Sequence, residues 1–233
     1  MKSLAVLFIL TSHAQIPATG QPTGLWLEEF TTPYYALVDA GYEVDVASIQ
    51  GGAVPIDPKS KPEAGSEAEG SVARYMKDDK AQQKIEKSKP LADIDGKNYA
   101  AIVLPGGHGT MFDLPESAHL ARLVADTLED NRIVAAICHG PAGLVGAKFK
   151  DGTPVVKGKR VAAFTNEEEE AVKLTEVMPF LLETRLKELG AKHEEAPNFQ
   201  PFAVADGNLI TGQNPASSQK VAELVIAALK EKK

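Results

Sequence analysis

A lone cysteine followed at once by a histidine is the most reactive arrangement in this chain, and it lies in the run Arg-Ile-Val-Ala-Ala-Ile-Cys138-His139-Gly-Pro-Ala-Gly. The order small, x, nucleophile, x, glycine is that of the nucleophile elbow, in which a strained turn lifts the reactive atom above a sheet and small flanks avoid collision. Ile133 to Ile137 is a short apolar, β-branched run of the kind that fills a parallel sheet. The small residues after it, with Pro141 suited to a first helical turn, predict a strand, a tight turn and a helix. A free thiol with a pKa near 8.5 is only a few per cent ionised at neutral pH. Lowering that value by ~3 units takes about 4 kcal/mol, of which a helix N-terminus supplies about 1. Other groups must therefore act on Cys138 if it is a thiolate at neutral pH, as expected for a nucleophile. The bland alternative is a free cysteine that is simply buried.

Candidate partners are carboxylates and a glycine-rich turn. Glu28 and Glu29 sit in the first turns of an otherwise apolar helix, Leu-Trp-Leu-Glu-Glu-Phe. One of them should face inward, where burial would raise its pKa and let it donate to sulfur or shuttle a proton. The run Glu167 to Glu170 reads first as helix chemistry, with Asn166 as N-cap and Glu169 at the capping-box position. Its functional reading is that one of the four fixes the tautomer of His139 and completes a Cys, His, carboxylate arrangement; spacing does not choose which. The turn Pro105 to Gly109 contains Gly106 and Gly107, which let backbone come close to a ligand. The amides of Gly107 and His139 would make an oxyanion hole, while His108 either lines the pocket or caps the next helix.

The elements that must position these groups alternate. Strands are read at Ser3 to Leu10, Glu43 to Ser48, Tyr99 to Leu104, Ile133 to Ile137, Arg160 to Phe164, Ala191 to Glu195, Ala203 to Asp206 and Asn208 to Thr211. Helices are read at Leu25 to Ala40, Ser71 to Lys87, Leu114 to Asp130, Pro179 to Leu189 and Ser217 to Lys230, and residues 51–90 form a lid-like insertion. The pattern predicts one α/β domain over 1–233, with a mostly parallel central sheet between two helical layers. Sites in such sheets lie outside the carboxyl ends of the strands, which gathers the four stretches above into one place.

Composition narrows the classes. The 233 residues carry 25 Lys plus Arg against 32 Asp plus Glu, a formal charge of −7, with no basic patch or helix, so neither nucleic acid nor an anionic membrane is an expected partner. A single cysteine excludes an internal disulfide and a cysteine-rich zinc site and fits a reducing cytoplasm. Lys2 with the apolar run Leu4 to Leu10 mimics a short signal peptide but is read as a buried strand, and no segment approaches the ~20 apolar residues of a membrane span. His13 and His119 have no ligand cluster, so no metal site is expected.

The stretches TGLWLEE, PGGHGTMFDLP, VAAICHGPAGL, GKRVAAFTNEEE and LITGQNPAS together resemble the ThiJ/PfpI superfamily over nearly the full length. Within it they are similar to the branch of glutathione-independent glyoxalases and stress-inducible holding chaperones. The resemblance implies the flavodoxin-like, class I glutamine amidotransferase-like fold, with Cys138 as nucleophile, His139 beside it, Glu29 approaching the thiol and Glu169 as third member. Extra acidity around Glu169 leaves Glu168 as a possible substitute. A glutamine amidotransferase itself would use a late His-x-Glu pair, and His193 with Glu195 has that pattern, but the pair reads as an outer strand and is set aside. The implied reaction turns methylglyoxal, and glyoxal, into a hydroxy acid without metal, glutathione or other cofactor, in reactive-carbonyl detoxification and stress response. A homodimer is the implied assembly. Rival readings are a holding chaperone or protein deglycase, a cysteine redox sensor and a cysteine peptidase.

Overall fold

In the computed structural model, which describes residues 5–62 and 67–232, the apolar runs pair into one seven-stranded sheet. The strands are β1 (Ala5–Leu10), β2 (Glu43–Ser48), β3 (Lys89–Pro90), β4 (Tyr99–Leu104), β5 (Ile133–Ile137), β8 (Ala203–Asp206) and β9 (Leu209–Gly212), in the order β3-β2-β1-β4-β5-β9-β8. All pairings are parallel except β8 with β9, a hairpin at the edge. The first two residues of the strand expected from Ser3 lie outside the described residues.

Both faces are covered, which is why the central strands read as continuous apolar runs rather than alternating ones. On one face Val6, Phe8 and Leu10 of β1 pack with Phe30, Tyr34 and Leu37 of α1 (Leu27–Asp39) and Val221, Val225 and Leu229 of the closing helix. On the other, Leu7 and Ile9 join Leu120, Leu123 and Val124 and the apolar residues around Val161, Leu182 and Leu186. The result is the expected three-layer α/β/α sandwich.

Two expected helices are broken, each at a capping residue. The helix read at Ser71 to Lys87 is α2 (Gly70–Tyr75) and α3 (Asp79–Glu86), because the Asp78 side chain accepts from the amides of Lys80 and Ala81 and starts a new helix. The helix read at Leu114 to Asp130 is the short α4 (Thr110–Asp113) and then α5 (Ala118–Glu129), with Pro115 between them and Ser117 capping the second. The strands read at Arg160 to Phe164 and Ala191 to Glu195 shrink to β6 (Arg160–Val161) and β7 (Lys192–His193), which pair in a separate two-stranded sheet. Between them lie α6 (Asn166–Ala171) and α7 (Leu182–Glu188); the chain closes with α8 (Ser218–Glu231).

The 51–90 segment is fastened where α1 begins. Leu25 donates to the Pro55 carbonyl at 2.8 Å, Asp57 donates to the Leu25 carbonyl at 2.9 Å, and the Thr23 hydroxyl donates to Asp57. Gly24 is required there, since a Cβ would lie 2.2 Å from the Pro55 oxygen.

Candidate active site

Cys138 comes directly after β5 with φ at 59°, a left-handed conformation that a side chain other than glycine adopts only under constraint. The constraint is visible on both sides of the residue: its N–H donates to the Gly212 carbonyl at 2.8 Å, and its own carbonyl accepts from Phe164 at 2.9 Å. The end of β9 and the segment that follows β6 thus hold the elbow. In place of the expected α-helix, the chain beyond the elbow forms a five-residue 3-10 turn, Gly140–Leu144, wholly buried. Gly140 permits that turn, because a Cβ would fall 1.9 Å from the Leu104 oxygen. So short a turn has little macrodipole to offer the sulfur.

A relay of hydrogen bonds runs from the sulfur into the protein. Sγ lies 3.3 Å from His139 Nδ1, and His139 Nε2 lies 2.7 Å from Glu169 Oε2. The other oxygen of Glu169 lies 2.8 Å from His108 Nε2. Burial alone would raise the Glu169 pKa, but the two histidines together hold it well below the carboxylate range. A carboxylate accepts only, so each Nε2 must carry a proton. His139 Nδ1 is then an acceptor when the ring is neutral, facing the sulfur as a base. Burial and the neighbouring His108 hold His139 below the usual imidazole range, against the pull of Glu169. The two imidazoles are 4.1 Å apart between centroids, and Phe164 packs on His139 at 4.5 Å.

Glu29 stands on the other side of the thiol. It is wholly buried, its Oε2 accepts from the Gly106 amide at 2.7 Å, and it interacts with Cys138. Burial pushes its carboxyl up to about 8, so at neutral pH it holds a proton and offers Oε1, which has no other hydrogen-bond partner among the described residues, as a donor site. Glu28 is exposed on the next spoke of the helix, as the 100° step between neighbours requires. Glycine is obligatory at Gly106, where a Cβ would be 2.6 Å from the backbone nitrogen of His139 and 2.9 Å from Glu29 Oε2. Its amide is committed to Glu29 and so holds the carboxyl rather than a substrate.

The expectation of a Cys138 thiolate at neutral pH, supported by a helix end, does not fit these surroundings. Burial pushes the thiol well up, and a charged Glu29 would push it further. The thiol and the carboxyl form a coupled pair of acids. Two negative charges there are strongly disfavoured, so the pair keeps a proton to share.

The helix cap also differs from its sequence reading, by one residue. Thr165 is the N-cap of α6, and Glu168, not Glu169, closes the capping box. Glu168 accepts from the amides of Thr165 and Phe199 and from the side chains of Gln213 and Asn214, at 2.7 to 3.1 Å. It is therefore spent on structure, and Glu169 is released toward the histidines. Sequence reasoning missed this anchor and missed Thr110, whose hydroxyl lies 2.8 Å from the Gly107 carbonyl and 3.1 Å from that of His139, joining the two loops of the site. The stretch LITGQNPAS pointed at Gln213 and Asn214 without a role for them. His108, His139 and Glu169 also bring three metal-ligating atoms within 4.8 Å of one another, although here those atoms are matched to each other. His13 stacks on Phe112 instead.

Comparison with known proteins places the chain in a group. A profile of the DJ-1/PfpI family matches residues 23–228. The probable glutathione-independent glyoxalase hsp3103 of Schizosaccharomyces pombe is 31% identical, over 90% of this chain and 92% of its own. The crystal structure of glyoxalase III from Candida albicans superposes with a TM-score of 0.88 at 29% identity, covering 97% of each chain. The Rapid Encystment Protein of 24 kDa from Francisella tularensis superposes at 0.92 with 38% identity, over 97% of this chain and 99% of that one.

Proposed function

Because the chain belongs to the DJ-1/PfpI family, we propose that it is a glutathione-independent glyoxalase, converting methylglyoxal to lactate through a hemithioacetal on Cys138. The observation that carries the reading is the flanking of one buried sulfur by an acid and a base: Glu29, which holds its proton at neutral pH, and His139, whose Nδ1 faces Sγ at 3.3 Å. A cysteine that is only 3% exposed suits a substrate as small as a dicarbonyl.

The thiol passes its proton to His139 as sulfur attacks the aldehyde carbon, and Glu29 protonates the carbonyl oxygen as the carbon–sulfur bond forms. The amides of Gly107 and His139 are the donors for the developing oxyanion, with Gly106 holding Glu29 in place and His108 steadying Glu169 at the pocket wall. Glu29, now a carboxylate, removes the hydrogen from the former aldehyde carbon while the imidazolium protonates the neighbouring oxygen, giving an enediol. Return of the Glu29 proton to the second carbon, with loss of the first oxygen's proton to His139, leaves a thioester. Water hydrolyses it to lactate and the free thiol. Glu169 stabilises the imidazolium at the steps where it forms.

In its finer terms the reading is a hydro-lyase of the D-lactate dehydratase type, acting on methylglyoxal and glyoxal as a homodimer in the cytoplasm, where the single cysteine stays a free thiol. The 51–90 segment, fastened at Leu25, borders the start of the helix that carries Glu29 and serves as its lid. Purified protein with methylglyoxal and no added thiol should yield lactate, and Cys138→Ser should yield none; equal turnover by the variant refutes the cysteine mechanism.

A further inference from the structure

The late His-x-Glu pattern that the proposed reaction leaves unused stands in a cluster of its own. His193 lies on β7 with its side chain only 1% exposed, and among the described residues neither ring nitrogen has a hydrogen-bond partner of good geometry. Its Nδ1 is 3.1 Å from Glu195 Oε2, and Glu183 of α7 brings a third ligand-type atom, all within 4.8 Å of one another. Unmatched buried polar atoms are rare and call for a cause.

The carboxylates of Glu183 and Glu195 both face the ring, and the Ala163 carbonyl lies beside it. An imidazole ligates a metal through a lone pair on one nitrogen. Nδ1, buried and without a hydrogen bond of its own among the described residues, stands directly against the Glu195 carboxylate. A cation between the two would take both as ligands, and a histidine with a backbone carbonyl near its second nitrogen is the usual form of a metal ligand. Two ligand atoms bound tetrahedrally to one zinc ion at about 2.1 Å lie roughly 3.4 Å apart, close to the separation of Nδ1 and Oε2 already present.

We propose that Glu183, His193 and Glu195 form a binding site for a divalent transition-metal ion of the zinc class, distinct from the cysteine site. One imidazole and two carboxylates suit such an ion, with water completing its coordination through the open side at Glu195, which is 49% exposed. A competitor is built in: Lys187 Nζ sits 2.5 Å from Glu183 Oε1, on a half-exposed side chain that can swing away. The site also touches the helix of Glu169, because the other oxygen of Glu183 accepts from the amide of Asn166, the first residue of α6, at 2.7 Å.

Titration calorimetry with zinc chloride on the full chain tests this, against Glu195→Gln, His193→Ala, Lys187→Gln and His139→Ala, each checked for folding by circular dichroism without metal. One zinc should bind per chain at this site, weakened at least ~10-fold by Glu195→Gln and His193→Ala. Lys187→Gln should tighten it several-fold by removing the competing charge, and His139→Ala should leave it unchanged. Should His193→Ala fail to fold, the exposed Glu195→Gln carries the comparison alone. An absence of zinc binding, an affinity indifferent to Glu195→Gln and Lys187→Gln, or binding lost only with His139→Ala would each overturn the proposal.

Discussion

Nε2 of His139 and Oε2 of Glu169 lie 2.7 Å apart in a pocket closed to solvent, while the capping of α6 falls to the preceding glutamate. Orientation of the imidazole and stability of the helix therefore rest on adjacent residues and are separable. Glutamine at position 169 has one acceptor oxygen for two imidazole N–H groups and must break the tautomer pattern. Glu169→Gln should lower methylglyoxal turnover by ~100-fold or more with little change in melting temperature.

The opposite outcome is expected one residue earlier. Glu168→Gln removes an acceptor from a buried group that meets four N–H donors, at a cost of about 1–3 kcal/mol. Chemical denaturation should show that loss, while turnover by the folded fraction should fall far less than in Glu169→Gln.

Glu29 links reactivity to pH. Its anion and burial both oppose ionisation of Cys138, so alkylation by iodoacetamide should still be accelerating as pH rises past ~8.5, the free-thiol value. Glu29→Gln cannot become an anion, and its alkylation profile should move to lower pH. Identical midpoints in the two proteins would mean that the groups do not titrate as a pair.

The same carboxyl should weaken the fold. Its pKa rises from 4.5 in the unfolded chain to about 8 in the folded one, so between those values the folded state binds more protons and stability falls as pH increases. Glu29→Gln should melt at least ~3 °C higher than the parent at pH 8, with the gap narrowing toward pH 5, and should lose most turnover. Glu28→Gln, on the exposed side, should change neither by much. A gap that does not depend on pH would place the Glu29 pKa elsewhere.

What was legible in the sequence was what local spacing decides. The strands Tyr99–Leu104 and Ile133–Ile137 end where their apolar runs end, and the spacing around Cys138 announced its elbow. Glu29 was separated from Glu28 only by resemblance to a family, since either could face inward. The cap of α6 was misplaced because Thr165 and Asn166 are both good N-cap residues, and the choice between them is made at a distance by the groups that receive Glu168. The breaks at Asp78 and Ser117 did carry local signals, overridden by apolar periodicity running through them. Arg160 to Phe164 is a strand only at Arg160–Val161, opposite a partner strand two residues long.

The anchoring of Glu168 sets an order of events during synthesis. Three of its four donors, on Phe199, Gln213 and Asn214, come at least 31 residues later in the chain than Glu168 itself, and Cys138 leans on the Gly212 carbonyl. A ribosome-bound chain that has exposed residues 1–190 carries the thiol, both histidines and Glu169 but lacks the groups that anchor Glu168 and the carbonyl that holds the elbow. The complete arrangement of acid, thiol and base thus arrives late and all together, once the last strand and the loop at Phe199 are in place.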